Sequence, residues 1–291
     1  MTRGPRLLSI LLLPAVMILC GIFFYSSNRA PDDAYISLRY AENLSSGEGF
    51  RFNPGGERVE GFSSPLHVLL MASAMAMGAP PLHVSQFSSL LGAVLCIGLV
   101  TWWGQKRLGL WWGTIAALAV ALNPSLGFWS RGGLESTLFT ALVTGTFIAA
   151  AEEKWKLMGF LAGLLAVTRP EGPLYWAALA LCVLLRHRRR LKCFLTPCLV
   201  LLATWLPWFL FRVFYFRDLL PNTYYAKMDG IHSAQVPRGL TYLQGFLSRS
   251  EILLPVALVG LGFLVVFREL RSKQGPVPDW VYAAGCLVCA T

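Results

Sequence analysis

The chain has 291 residues, of which 55% are hydrophobic and 14% charged, with a net charge of +10. That length would hold two soluble domains, but a mean hydropathy of +0.56 and recurrent apolar runs of roughly 20 residues exclude them. Disorder, a collagen repeat, a coiled coil and a secreted disulfide scaffold are excluded by the same composition. The basic charge lies between apolar runs, where it marks cytoplasmic loops and does not form a nucleic-acid-binding face.

In chain order, the first run is Leu7–Tyr25, preceded by Arg3 and Arg6. It is long for a signal peptide and no clean small-x-small cleavage site follows, so it reads as an uncleaved span with its N-terminus inside. Further runs are Val84–Trp103, Leu110–Leu122, Leu134–Ala151, Leu157–Val167, Pro173–Leu185, Phe194–Phe211, Ile252–Phe267 and one starting at Trp280. The last stops at Thr291, only 12 residues after Asp279. This suggests the N-terminal portion of a longer protein, or a truncated gene. The seven cysteines lie mostly in apolar runs and imply no disulfide framework.

Pro65–Gly78 is apolar but short: 14 residues of helix reach about 21 Å, against a hydrocarbon core of ~30 Å. If it does not cross, the N-terminus, Lys106/Arg107, Lys154/Lys156, the Arg186–Lys192 cluster and Arg268/Arg271/Lys273 all fall inside. That side then carries 14 basic and four acidic residues. The positive-inside rule therefore makes Pro65–Gly78 an interfacial or re-entrant helix, capped by Ser64 with Pro65 at its first position. The outside receives two long loops, residues 26–83 and 212–251, within a single membrane domain over 1–291.

Five groups of polar residues fall on this outer face. Pro31 can open a helix, placing Asp32 and Asp33 in its first turn, where the positive helix end favours carboxylates. Asp33 takes the more apolar side of that helical wheel. The pair could supply a general base, a divalent-metal ligand, or simply a solvated helix start. The segment Gly47–Gly61, with Arg58 and Glu60, reads as a glycine-rich surface hairpin. Ser130-Arg131-Gly132-Gly133-Leu134-Glu135 and Thr168-Arg169-Pro170-Glu171-Gly172 each set an Arg and a Glu at a span end. Ionisable groups there are costly and often functional, or they lock two helix ends together. Finally, Leu220–Lys227 carries Asn222, Tyr224, Tyr225 and Lys227, an aromatic belt or a sugar-stacking surface.

The ordered set DDAYISLRYAENLSSGEGFRFNPGGERVEGFSSP, SRGGLES, TRPEG and PNTYYAK resembles the bacterial polytopic glycosyltransferases of the GT-C superfamily. It looks most like the mycobacterial terminal β-(1→2)-arabinofuranosyltransferases. More distantly it is similar to protein O-mannosyltransferases and the lipid A aminoarabinose transferase. The resemblance covers roughly residues 1–230.

It implies an all-α polytopic membrane protein: a GT-C-like transmembrane helix bundle with juxtamembrane helices in the first extracytoplasmic loop. It implies a polyprenyl-phosphate sugar donor, an envelope glycan, lipid or protein acceptor, and chemistry at the outer face of the plasma membrane. Asp32 then takes the place of the essential acid as base, with Asp33 orienting the acceptor or a metal. Arg131, Arg169, Lys227 and Arg58 are candidates for the donor phosphate, because basic groups stabilise a leaving anion in a low-dielectric site. Glu60 matches a second acidic position, and Glu135 stands where relatives often carry Asp. With Glu171, Asn222 and Tyr224, these complete the candidate site. A lipid-linked sugar transporter and a truncated, inactive relative are the alternatives.

Overall fold

The computed structural model describes residues 30–186, 191–228 and 232–247. The runs expected at Leu7–Tyr25, Ile252–Phe267 and from Trp280 lie outside the described residues, as does the middle of the Arg186–Lys192 cluster. The described residues form helices and loops only: α1 (Asp32–Ser45), α2 (Pro65–Ala76), α3 (Pro81–Leu108), α4 (Leu110–Ala121), α5 (Pro124–Trp129), α6 (Ser136–Ala151), α7 (Trp155–Thr168), α8 (Gly172–Arg186), α9 (Leu191–Tyr215), α10 (Asn222–Met228) and α11 (His232–Leu247).

Each start has a local cause. Proline, with φ preset for a helix and no amide to lose, occupies the first position of α2, α3 and α5. Asn123 caps α5, its side chain accepting from Ser125 N at 2.8 Å and Leu126 N at 3.3 Å. Ser64 takes the N-cap position of α2, but its hydroxyl makes no capping bond. The expected hairpin at Gly47–Gly61 is not formed. The segment is irregular and unpaired, with Asn43 Nδ2 donating to the carbonyls of Arg51 (2.8 Å) and Phe52 (2.9 Å).

The helices alternate in direction along one axis. α3, α6 and α8 run away from the Asp32 end, and α4, α7 and α9 return to it. α3 packs on α4 and α6, α6 on α7, and α7 on α9. The α7–α9 contact is close because of two glycines. Gly159 and Gly163 stand one turn apart on α7; a Cβ at Gly159 would fall on the Pro197 carbonyl oxygen, and one at Gly163 would lie 2.5 Å from Thr204 Cβ. This is the small-xxx-small spacing by which helices approach closely in lipid, where packing must replace the hydrophobic drive.

α3 and α9 are long and apolar enough to cross a membrane. Only 6% of the apolar window of α9 is buried, which excludes the core helix of a soluble domain. Its Leu195, Leu199, Leu202, Leu206 and Leu210 form an exposed stripe that lipid would solvate. α2, by contrast, has 12 residues and packs on α1, α3 and α7. Together with Phe50, Phe62 and Trp208 it builds an apolar cluster beneath the Asp32 end.

Leucine at 159 or 163 should separate α7 from α9. An overpacked contact costs about 1–3 kcal/mol, so both variants are expected to lower the unfolding temperature in detergent. Gly98→Leu, where an added Cβ meets nothing within 4 Å, serves as the control and should leave it unchanged.

Candidate functional site at the Asp32 end

Three of the five polar groups converge through close packing of their segments. The chain between α5 and α6 turns at Gly133, with φ +70, a conformation glycine adopts without a steric penalty. A Cβ there would lie 2.8 Å from Ser85 Oγ and 3.6 Å from Ala34 Cβ, and one at Gly132 would lie 3.9 Å from Pro31 Cδ. The loop is thus seated directly on the start of α1. Ser89 Oγ holds it by donating to the Leu134 carbonyl at 2.8 Å, and Thr137 Oγ1 donates back to the Ser89 carbonyl at 2.5 Å.

Asp32 and Asp33 occupy the first turn of α1 as expected. Both side chains are exposed, so the wheel's distinction between them is not realised: the first turn projects beyond the layer that covers Ala34, Ser37 and Leu38. Neither carboxylate makes a hydrogen bond or ion pair among the described residues. Arg131, in the loop beside them, is half-buried.

Glu135 is 5% exposed and accepts from Arg169 Nη1 at 2.8 Å. Arg169 also donates from Nη2 to Glu171 Oε1 at 3.0 Å and from Nε to Glu171 Oε2 at 3.3 Å. Its guanidinium lies 5.9 Å from the Phe139 ring centre. Burial works against the charge of Arg169, but hydrogen bonds and proximity to Glu171 and Glu135 outweigh it and raise its pKa. The span-end lock is therefore formed between the SRGGLE and TRPEG segments, with the arginine of one held by the glutamate of the other. A guanidinium shared by two carboxylates has little unopposed charge for a phosphate.

The remaining segments meet at a second centre. Arg212, in the last turn of α9, donates from Nε to Glu60 Oε2 at 2.6 Å and from Nη2 to Glu60 Oε1 at 3.1 Å. Glu60 is 1% exposed and Arg212 9%. Burial pushes the Glu60 carboxyl up, and the hydrogen bonds and charge of Arg212 oppose that shift. Its backbone carbonyl accepts the Asn222 amide at 3.0 Å, which fixes the start of α10. Tyr40 Oη donates to the Val59 carbonyl at 2.7 Å and accepts from Gly61 N at 3.1 Å. Arg58 is exposed and stacks 4.7 Å over the Tyr215 ring. Asn222 and Tyr224 are exposed, and Tyr224 meets Tyr225 edge-on at 5.8 Å. Lys227 belongs to α10, and its side chain lies outside the description.

Glu60 is accordingly held inside the fold, with both oxygens on Arg212. Sequence reasoning missed Arg212. Its one signal was a basic residue directly after the Phe194–Phe211 run.

No protein-family profile matches the chain, and no curated protein matches it in sequence. Among solved structures it is similar to the crystal structure of ArnT from Cupriavidus metallidurans bound to undecaprenyl phosphate. The TM-score is 0.61 at 14% identity, over 97% of this chain and 59% of that one. The chain thus spans about three-fifths of its neighbour's length. The likeness shows the fold: a polytopic, all-helical GT-C-like membrane architecture.

Removing one member of a buried ion pair costs about 3–5 kcal/mol, because the other charge is left uncompensated. Arg212→Met should therefore destabilise the chain strongly in thermal unfolding. In that variant burial acts on Glu60 alone, so the folded state holds a proton that the unfolded state releases at neutral pH. Its stability should fall further as pH is raised from 5 to 8, a trend that Arg212→Met with Glu60→Gln should lose.

Proposed function

We propose that this chain is a membrane glycosyltransferase of the GT-C type. It takes a sugar from a polyprenyl-phosphate donor and transfers it to an envelope glycan, lipid or protein at the extracytoplasmic face of the plasma membrane. The observation that carries this reading is the fold shared with a protein crystallised with undecaprenyl phosphate, combined with two exposed carboxylates in the first turn of α1.

The chemistry needs three things in one place. A carboxylate must remove the acceptor hydroxyl's proton as that oxygen attacks the anomeric carbon. Cationic groups must meet the phosphate as the glycosidic bond breaks. The donor must arrive from the bilayer, because a nucleotide sugar is not available outside the cytoplasm. Asp32 is the base in this reading, and Asp33 orients the acceptor or a divalent metal. Arg131, in the loop seated on the start of α1, serves the phosphate in this reading, with Arg58 and Lys227. Arg169, held between Glu135 and Glu171, serves better to set the loop that carries Arg131 than to bind phosphate itself. Among the described residues no group of three or more His, Cys, Asp or Glu is placed to hold a metal; Asp32 and Asp33 would be two ligands of such a site.

The transporter reading requires ionisable groups near mid-membrane or broken helices there. Every Asp, Glu, Lys, Arg and His of α3 to α9 lies within a turn of a helix end, which favours surface chemistry.

The test is release of polyprenyl phosphate by purified protein given a lipid-linked sugar and an envelope extract as acceptor. Asp32→Asn should lower turnover by roughly 10²–10⁴, the usual contribution of a general base, and Asp33→Asn by less. Full turnover in Asp32→Asn would remove the base assignment. Labelling of a cysteine at position 32 only from the cytosolic side would remove the site.

A further inference from the structure

A groove of about 330 Å³ runs along α6 between α3 and α7, from Leu138 toward the Asp32 end to Glu152 at the opposite one. Its walls are Leu95, Leu99 and Trp102 of α3 and Leu157 and Leu161 of α7, over a floor at Gly145. The floor is close-packed: a Cβ at Gly145 would lie 3.2 Å from Leu161 Cδ1 and 3.7 Å from Leu99 Cδ1. From Leu138 to Glu152 along α6 the groove is about 21 Å long, more than one leaflet of a ~30 Å hydrocarbon core. Leu95, Trp102 and Leu157 are 41–46% exposed, so it opens sideways toward lipid.

Its mouth is charged. Glu152 and Lys154 close it. The Glu152 carboxylate is already occupied: Lys106 Nζ bonds its Oε2, and Arg107 Nη2 (2.8 Å) and Trp103 Nε1 (3.1 Å) donate to its Oε1. Burial alone would raise Glu152, but these donors prevail and hold its carboxyl below the usual value. Lys154 is exposed and its ammonium makes no ion pair among the described residues. With Lys106, Arg107 and Lys156 against Glu152 and Glu153, this end carries a positive excess.

We propose that this groove is a binding site for one anionic phospholipid. An acyl chain lies against Leu99, Gly145 and Leu161, and the headgroup phosphate meets Lys154, with Trp102 at the level of the glycerol. The charge complementarity selects the occupant: a neutral chain would fill the apolar walls equally well but leave the ammonium without a partner. The inference rests on the membrane reading of the fold and is independent of the transferase reading.

The experiment is native mass spectrometry of the full chain released from nanodiscs of equal phosphatidylglycerol and phosphatidylcholine. One phosphatidylglycerol should stay with each chain. Lys154→Gln should weaken its retention about tenfold, and Lys192→Gln, at the same end but outside the groove, should not. Gly145→Leu should exclude the lipid with the charge intact, circular dichroism reporting that it folds. Equal retention of both lipids, or unchanged retention in Lys154→Gln, overturns the proposal. So does a disulfide between a cysteine at position 99 and one within residues 7–25, because the chain itself would then fill the groove.

Discussion

A charge placed in hydrocarbon is costly, and the arrangement of this chain follows from that constraint. Charged side chains of α3 to α9 are confined to the helix ends, and most of those described there are paired across elements. Glu152 gathers Lys106 and Arg107 at one end. At the other, Arg169 joins Glu135 and Glu171, and Arg212 joins Glu60. Between these two charged layers the helices meet through small residues and apolar side chains, as at Gly159 and Gly163. Ionic fastening at the ends and close packing in the middle divide the work of holding the bundle.

The division also separates the groups that hold the fold from those left for chemistry. Glu60 and Arg212 are buried and saturate one another, a geometry suited to fixing a loop. Asp32 and Asp33 stand on the first turn of α1 without partners among the described residues. Their placement comes from backbone contact: Gly132 and Gly133 bring the loop after α5 onto Pro31 and Ala34. A carboxylate positioned by packing, and not by a salt bridge, keeps its lone pairs for a proton or a cation.

Much of the helical layout was legible in sequence because it is locally written. Apolar runs set α3, α4 and α6 to α9, with Pro81 at the start of α3 and charge at or just past the ends of α3, α6, α7 and α8. The start of α2 at Pro65 and its shortness were legible as well: it has 12 residues. What was not legible depends on residues distant in the chain. Arg212 meets Glu60 across 152 positions, and no local pattern announces such a partner. The expected hairpin at Gly47–Gly61 failed for the same reason: Phe50 within it and Phe62 just after it turn inward against Trp208 of α9 and Phe216 just beyond that helix, which outweighs strand pairing. The pairing of Arg169 with Glu135 was anticipated as a kind of lock, though the sequence could not say which arginine takes which acid.

Residue 60 is attached twice: its side chain to Arg212 on α9 and its carbonyl to the amide of Asn222 at the head of α10. The loop after α1, the last turn of α9 and the start of α10 are therefore fastened to one residue. Admission of a bulky molecule cannot proceed by parting these segments without breaking a desolvated ion pair.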